Sequence, residues 1–206
     1  MASILKVDTI QDQSGNNIIN ENADTITIGA SGDTITIPSG ATLSNLGTAT
    51  GFGKVLQVVQ TVKTDTFSSS TGSFIDVTGL SVSITPSSAS NKILILSDIR
   101  YGTNANSGYA FFKLLRGSTD IYLGNAAGSR IRGFGGGGST DAATLTQLST
   151  VFLDSPSTTS STTYKIQIYN QNAATYAVYV NRTYNDTDNT SYSRAASSIT
   201  VMEILA

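Results

Sequence analysis

The chain has 206 residues and a formal net charge of −2, from 12 basic and 14 acidic side chains. That length holds one domain of ordinary size and an appendage, and the charge is not the basic excess of a nucleic-acid binder. There is no Cys, which excludes disulfides, thiolate nucleophiles and Cys-ligated zinc, and no His, which excludes Ser-His-Asp triads and His-ligated metals.

Ser and Thr dominate, with 28 and 29 copies against 2 Glu and 6 Lys. Thr favours strands, Ser, Gly and Asn favour turns, and helix formers are scarce, so the expected class is all-β. The longest apolar runs, such as residues 92–96, are strand-length. No membrane insertion and no secretory signal are expected.

Residues 1–53 differ from the rest. They carry one Lys, five acidic groups and a single aromatic, Phe52, whereas the other 15 Tyr and Phe lie beyond. Such a region cannot build its own monomeric core. Residues 1–22 read as two short strands, 4–10 and 17–20, around Ser14-Gly15-Asn16. Ile4, Leu5, Val7, Ile10, Ile18 and Ile19 have nothing local to cover them, so the segment reads as a docking element for a partner. An internal repeat follows: Asp24-Thr-Ile-Thr-Ile-Gly-Ala-Ser-Gly32, then Asp33-Thr-Ile-Thr-Ile-Pro-Ser-Gly40. Ile26, Ile28, Ile35 and Ile37 alternate with Thr, the period of a strand with one buried face. The stripe is too small to be covered by its own chain, and a parallel trimer with the Ile on its axis would cover it. The competing reading is a flexible Ser/Thr/Gly linker. Residues 41–53 read as a neck.

From residue 54 onward strands are dense. The expected ones are 55–63, 74–77, 80–84, 92–101, 110–116, 121–123, 145–153, 164–169, 176–180 and 199–205. No window supports a helix of three turns, and 141–148 is the nearest candidate. This density suggests a two-sheet sandwich of jelly-roll type. Strands 92–101, 110–116, 176–180 and 199–205 are apolar on both faces, which calls for a second partner, most simply another subunit.

Two end segments add a family resemblance. The opening Ser3-Ile-Leu-Lys-Val-Asp-Thr-Ile-Gln-Asp-Gln-Ser-Gly15 resembles the N-terminal segment of tail fibre and related virion structural proteins of marine bacteriophages. The closing Ala196-Ser-Ser-Ile-Thr-Val-Met-Glu-Ile204 resembles the last strand of their C-terminal heads, and the Asp-Thr-Ile-Thr-Ile repeat resembles their shafts. The resemblance implies a homotrimeric fibre on the virus particle surface. Its parts would be a virion-attachment segment (1–22), a β-repeat shaft and neck (23–53), and a head (54–206) akin to the tumour-necrosis-factor-like jelly roll. It implies partners in another virion protein, of tail or capsid, and in a host cell-surface glycan or protein. At 206 residues the chain is short for a fibre. A short tail fibre, a capsid-mounted fibre and a distal piece docked to another protein all remain open.

Two segments of the head are candidates for recognition. Gly133-Phe-Gly-Gly-Gly-Gly138 formally matches G-x-G-x-x-G, but neither the following helix nor a βαβ unit is present, so nucleotide binding is not expected. It reads as an exposed loop, or as a recognition loop with Arg130 and Arg132 beside it, whose guanidinium forks suit carboxylates and phosphates. The polar loop 181–193 carries Tyr184 and Tyr192, which suit stacking on a sugar face. Its Asp186 and Asp188 are spaced to join a Ca²⁺ site, but the rest of that pattern is missing, and no metal or cofactor is expected. Asn181, Asn185 and Asn189 each begin a formal N-x-[ST] sequon. No carboxylate pair is evident for glycan cleavage, so no enzyme is expected. The leading expectation is a receptor-binding structural protein. The alternatives are a capsid-decorating or head fibre without a receptor, and a polysaccharide-degrading spike.

Overall fold

The structure, a computed structural model, describes residues 9–11, 13–15, 17–22, 25–28, 31–36, 38–40, 54–105 and 107–206. The chain divides into two compact units, Met1–Gly51 and Phe52–Ala206. Among the described residues there is no helix.

In the first unit, β1 (Thr9–Gln11), β2 (Asn17–Asn22) and β3 (Thr25–Ile28) form an antiparallel sheet in that order. Gly15, with φ +84°, makes the turn between β1 and β2. Ile19 stands opposite Ile10 on one side and Ile28 on the other. Ile10 and Ile28 are 40% and 53% exposed and Ile19 is half-buried, so among the described residues the two ends of this row are uncovered. The two copies of the repeat are not equivalent. The first supplies β3, with Ile26 paired to Glu21, whereas residues 33–36 of the second form no strand and Ile35 is exposed. The strand expected at 4–10 is described only from Thr9 onward, and Ile4, Leu5, Val7 and Ile37 lie outside the described residues.

The second unit contains β4 (Val55–Lys63), β5 (Phe67–Ser69), β6 (Ile75–Ile84), β7 (Lys92–Gly102), β8 (Ala110–Arg116), β9 (Thr119–Ile121), β10 (Gly135–Gly137), β11 (Thr146–Asp154), β12 (Thr162–Asn170), β13 (Val178–Val180) and β14 (Ser197–Ile204). Its long strands are assigned to two antiparallel sheets, β4-β14-β7-β11 and β6-β12-β8-β10. The last strand thus lies beside the first, and the chain passes between sheets as it proceeds, which is the winding of a double-sheet jelly roll. β13 and β5 extend the first sheet beside the end of β7, and β9 joins the second at the end of β8.

Alternation along the strands builds the core. Ile93, Ile95 and Ile99 of β7, Phe112 and Leu114 of β8, Tyr164, Ile166 and Ile168 of β12, and Ile199 and Val201 of β14 are buried in one cluster between the sheets. Tyr101 and Phe112 bridge it with ring centroids 5.0 Å apart.

Two local differences from the sequence reading have physical causes. Residues 74–84 were expected as two strands, but β6 runs through Gly79, whose φ of +83° absorbs a bulge in the pairing with β12. The glycine run was expected as a loop, yet β10 pairs with Ala110–Phe112 of β8. A Cβ on Gly136 would sit 2.2 Å from the Ala110 carbonyl oxygen, so the pairing needs a residue without a side chain. The strand expected at 145–153 is β11, and residues 141–148 form no helix.

The two sheets have unlike outer faces. On the β6-β12-β8 face, Lys165 donates to Asp76 at 2.8 Å, Gln167 to the same carboxylate at 2.8 Å, and Lys113 to Asp120 at 2.5 Å. Lys113 also covers the Phe74 ring at 4.4 Å. Phe111 and Leu115, read as the second apolar side of β8, are accordingly half-buried and buried. On the opposite sheet Val58, Val62, Val151 and Leu153 remain more than half exposed.

Candidate ligand-binding site

The site is built on β13 and the segment that follows it. Val178 and Val180 are fully buried, so Tyr179 between them faces the other way. At Asn181 the backbone turns through φ +64°, a conformation Asn tolerates better than most residues. The Asn181 side chain is buried and fully used. Its Nδ2 donates to the carbonyl oxygens of Lys63 and Asp65 at 2.8 and 2.9 Å, and its Oδ1 accepts from Ser197 at 2.6 Å. Its backbone NH donates to Arg100 O at 2.8 Å, and its carbonyl accepts from Ala195 N at 3.0 Å. Both ends of the 182–194 segment are therefore tied to the rigid sandwich.

Above this root, the Arg182 guanidinium lies 3.8 Å from the centroid of the Tyr179 ring. Tyr184 packs edge-on against Tyr176 and Tyr179, at 6.4 and 5.7 Å. Asp186 accepts from Arg182 Nη1 at 2.8 Å, and from Arg194 Nε and Nη2 at 2.8 and 2.5 Å. The hydrogen bond from Arg194, assisted by the charge of Arg182, holds the Asp186 carboxyl below its usual range. This clamp closes the loop across the Arg182–Arg194 bridge. Beside it opens a cleft of about 320 Å³, with Asp186, Asp188, Asn189, Tyr192 and Arg194 among its walls. An aromatic ring next to planar carboxylate, amide and guanidinium groups is the donor and acceptor set that grips vicinal hydroxyls.

The residues singled out from sequence fall in different places. Tyr192 lines the cleft; Tyr184, on the same loop, does not, because it is packed into the tyrosine cluster. Arg130 and Arg132 lie on the β9–β10 connection and bond back to it, to Ala127 O at 3.2 Å and Gly124 O at 2.9 Å. A smaller cleft of about 250 Å³ lies there, between Tyr122, Gly124, Gly133 and Phe134. Tyr122 holds φ +55° with its ring 5.0 Å from that of Phe152. Asp186, weighed from sequence as a Ca²⁺ ligand, is instead the acceptor for two guanidinium groups. Of the three sequon asparagines, Asn181 is fully buried. The sequence reading missed Arg182, Arg194 and Asn181. The available signal was two Arg bracketing a polar loop with an Asp between them.

A buried carboxylate lies near the end of β14. Glu203 is inaccessible and has no cationic partner; it accepts from Asn91 Nδ2 and Gln57 Nε2, both at 2.6 Å, and from Ser87 N and Oγ at 2.7 and 2.8 Å. Burial pushes its pKa up, but these donors outweigh burial and bring it to about 2. Three of these bonds pin the turn between β6 and β7 to the end of β14, and the fourth adds Gln57 of β4, which is a structural task.

No family model matches the chain, and no curated protein is similar to it. Among solved structures it aligns with that of the infectious bursal disease virus Gx strain, with TM-score 0.39 and 12% identity over 79% of this chain and 44% of that one. It also aligns with the VP2 subviral particle of infectious bursal disease virus, with TM-score 0.35 and 12% identity over 79% of this chain and 45% of the other. The chain spans less than half the length of either.

Proposed function

We propose that the chain is a structural and adhesive component of a phage particle. In this reading it is a homotrimeric fibre at the virion surface. The N-terminal segment attaches to another virion protein, the Thr/Ile repeat belongs to a thin shaft, and the sandwich carries the receptor site. The resemblance of the two end segments supports the virion setting. The uncovered ends of the Ile10–Ile19–Ile28 row support a docking role for the first unit, because an apolar row of this kind is covered when a partner is bound.

The cleft beside Tyr192 carries the receptor part of the reading. Its walls hold Asp186, Asp188 and Arg194, and Asp186 is also paired with Arg182, so two acidic and two basic groups balance. An anionic glycan gains no net attraction there. A neutral hexose would stack on Tyr192 and share its hydroxyls among Asp188, Asn189 and Arg194. Arg130 and Arg132, whose guanidinium forks suit carboxylates and phosphates, are bonded to their own loop. Each site binds weakly, and several copies per particle raise the avidity through effective concentration.

The test is a glycan array probed with the full chain and with its Tyr192→Ala variant. Retention of neutral hexose glycans, reduced about tenfold in the variant, is expected, since one stacking contact is worth about 1–1.5 kcal/mol. Absence of any glycan binding, together with normal particle adsorption by the variant, overturns the receptor role in favour of a decorating one.

A further inference from the structure

The outer face of the β4-β14-β7-β11 sheet carries an aliphatic row that crosses all four strands. Val58 stands opposite Met202, Met202 opposite Leu94, and Leu94 opposite Leu153. The next row adds Leu96 opposite Val151. Val58, Val151 and Leu153 are 56%, 62% and 53% exposed. A shallow depression of about 240 Å³ lies beside Leu96 and Val151, so the face offers both ridges and a hollow. The other sheet is an internal control: its outer face is laced with Lys–Asp pairs, as a solvated face requires.

We infer that this aliphatic face is where the chain meets further copies of itself. This rests on the homotrimer of the reading above and assigns its contact surface. Two features favour a second copy over a charged partner. At its centre the charges cancel: Arg100 pairs with Asp98 at 3.2 Å, and Gln147 and Ser149 donate to the same carboxylate at 2.8 and 3.0 Å, while Lys92, the other cation of β7 on this face, sits at the strand's end and donates to Ser155 Oγ at 2.8 Å. Identical faces therefore approach without setting like charges against each other at their centres. The aliphatic surface also amounts to a few hundred Å², above what scattered surface residues give and enough for the apolar centre of one side of a standard interface of about 800 Å² per partner. β4 and β11 flank the four long strands of this face, and neither holds the Lys or Pro that protects an exposed edge at its centre.

The experiment introduces charge where the monomer tolerates it. Val58→Lys and Val151→Lys are compared with Ser81→Lys on the outer face of the opposite sheet, by light scattering and far-ultraviolet circular dichroism. The parent and Ser81→Lys are expected at a multiple of 21.5 kDa, and both Val variants at the monomer mass with β-type spectra retained. Variants that keep the parent mass overturn the assignment of this face while leaving the oligomer intact. A monomeric parent overturns the homotrimer and the inference together, and leaves another protein as the occupant. Because the chain has no Cys, Leu153→Cys labelled with a polarity-sensitive dye gives a second readout. Emission shifted to the blue relative to a Ser81→Cys label supports burial, and equal emission overturns it.

Discussion

Tyr164 donates its hydroxyl hydrogen to Asp154 Oδ2 at 2.7 Å, and this bond ties one sheet of the sandwich to the other. Tyr164 begins β12 in one sheet, while Asp154 ends β11 in the other. Arg116, at the end of β8, completes the group by donating Nη1 to both Asp154 oxygens at 2.9 and 2.8 Å, and to Ser155 O at 3.1 Å. Burial, and then the neighbouring Asp154 charge, raise the Tyr164 pKa well above the usual phenol range, so the hydroxyl stays a donor at every accessible pH. The group lies at the strand ends where Asp154 stands opposite Ile93 and Thr162 opposite Ile84, and both isoleucines are buried core residues.

Tyr164→Phe removes that donor while leaving the ring in place. The expected cost is about 1.5–3 kcal/mol, the range for a hydrogen bond to a charged group, read as a lower midpoint in denaturant. Asp154→Ala is expected to cost more, because it strands the Arg116 charge beside a buried hydroxyl. Equal midpoints for parent and Tyr164→Phe would show that the bond contributes nothing.

Glu203 sets an acid limit on stability. Its folded pKa, about 2, lies below its ordinary value of 4.5. Its contribution is therefore fully present above pH 4.5 and is lost as the pH falls from there toward 2. The thermal midpoint of the parent should drop through that window. Glu203→Gln faces the amide donors of Asn91 and Gln57 with an amide of its own. It is expected to be less stable near neutrality by about 2–4 kcal/mol, with a flatter acid limb. An unchanged acid limb in the variant refutes the assignment.

The strands were legible where side chains alternate, and the turns where Gly, Asn and Ser cluster. β4 and β8 fall where expected because Val55–Lys63 and Ala110–Arg116 carry strong apolar signals between clear breaks. β10 was invisible because three glycines have no side-chain period, and only the neighbouring β8 backbone defines them as a strand. β5 was missed because Phe67–Ser69 is too short to show alternation. Of the residues lining the candidate cleft, Tyr192 had been singled out from the sequence. Asn181, Arg182 and Arg194 draw their roles from Lys63, Tyr179 and Asp186, contacts that no local pattern encodes.

Gly136→Ala tests the glycine strand. A Cβ there would lie 2.2 Å from Ala110 O and 2.6 Å from Phe111 Cα, at φ +144°. Loss of the β8–β10 pairing is expected, with a cost above about 2 kcal/mol from backbone strain and the broken ladder. Gly124→Ala is the control, since its Cβ would meet only Gly133 O, at 3.7 Å. Hydrogen exchange at Gly135 and Gly137 should accelerate in the first variant and not in the second. Equal protection in both would mean that β10 does not depend on the missing side chain.

Asn181 should control the site without touching a ligand. It holds the root of the 182–194 segment through two donated bonds to Lys63 and Asp65 and one accepted from Ser197. Three substitutions separate its tasks. Asn181→Gly keeps the φ of +64° at ease and loses only the side-chain bonds. Asn181→Ala loses the same bonds and adds about 1 kcal/mol for a left-handed backbone with a Cβ. Asn181→Asp keeps the acceptor for Ser197 but aims a carboxylate at two carbonyl oxygens in a dry site, and is expected to be the worst of the three. Stability should therefore fall in the order Asn, Gly, Ala, Asp. The Gly variant is the informative one for function, because its sandwich should remain folded while the Arg182–Asp186–Arg194 clamp loses its fixed base. Glycan affinity in that variant should fall severalfold, and hydrogen exchange at Thr183 and Ala195 should quicken, with exchange in β7 and β14 unchanged. If the Gly variant binds as the parent does, the cleft is shaped by its own clamp, and the buried asparagine serves stability alone.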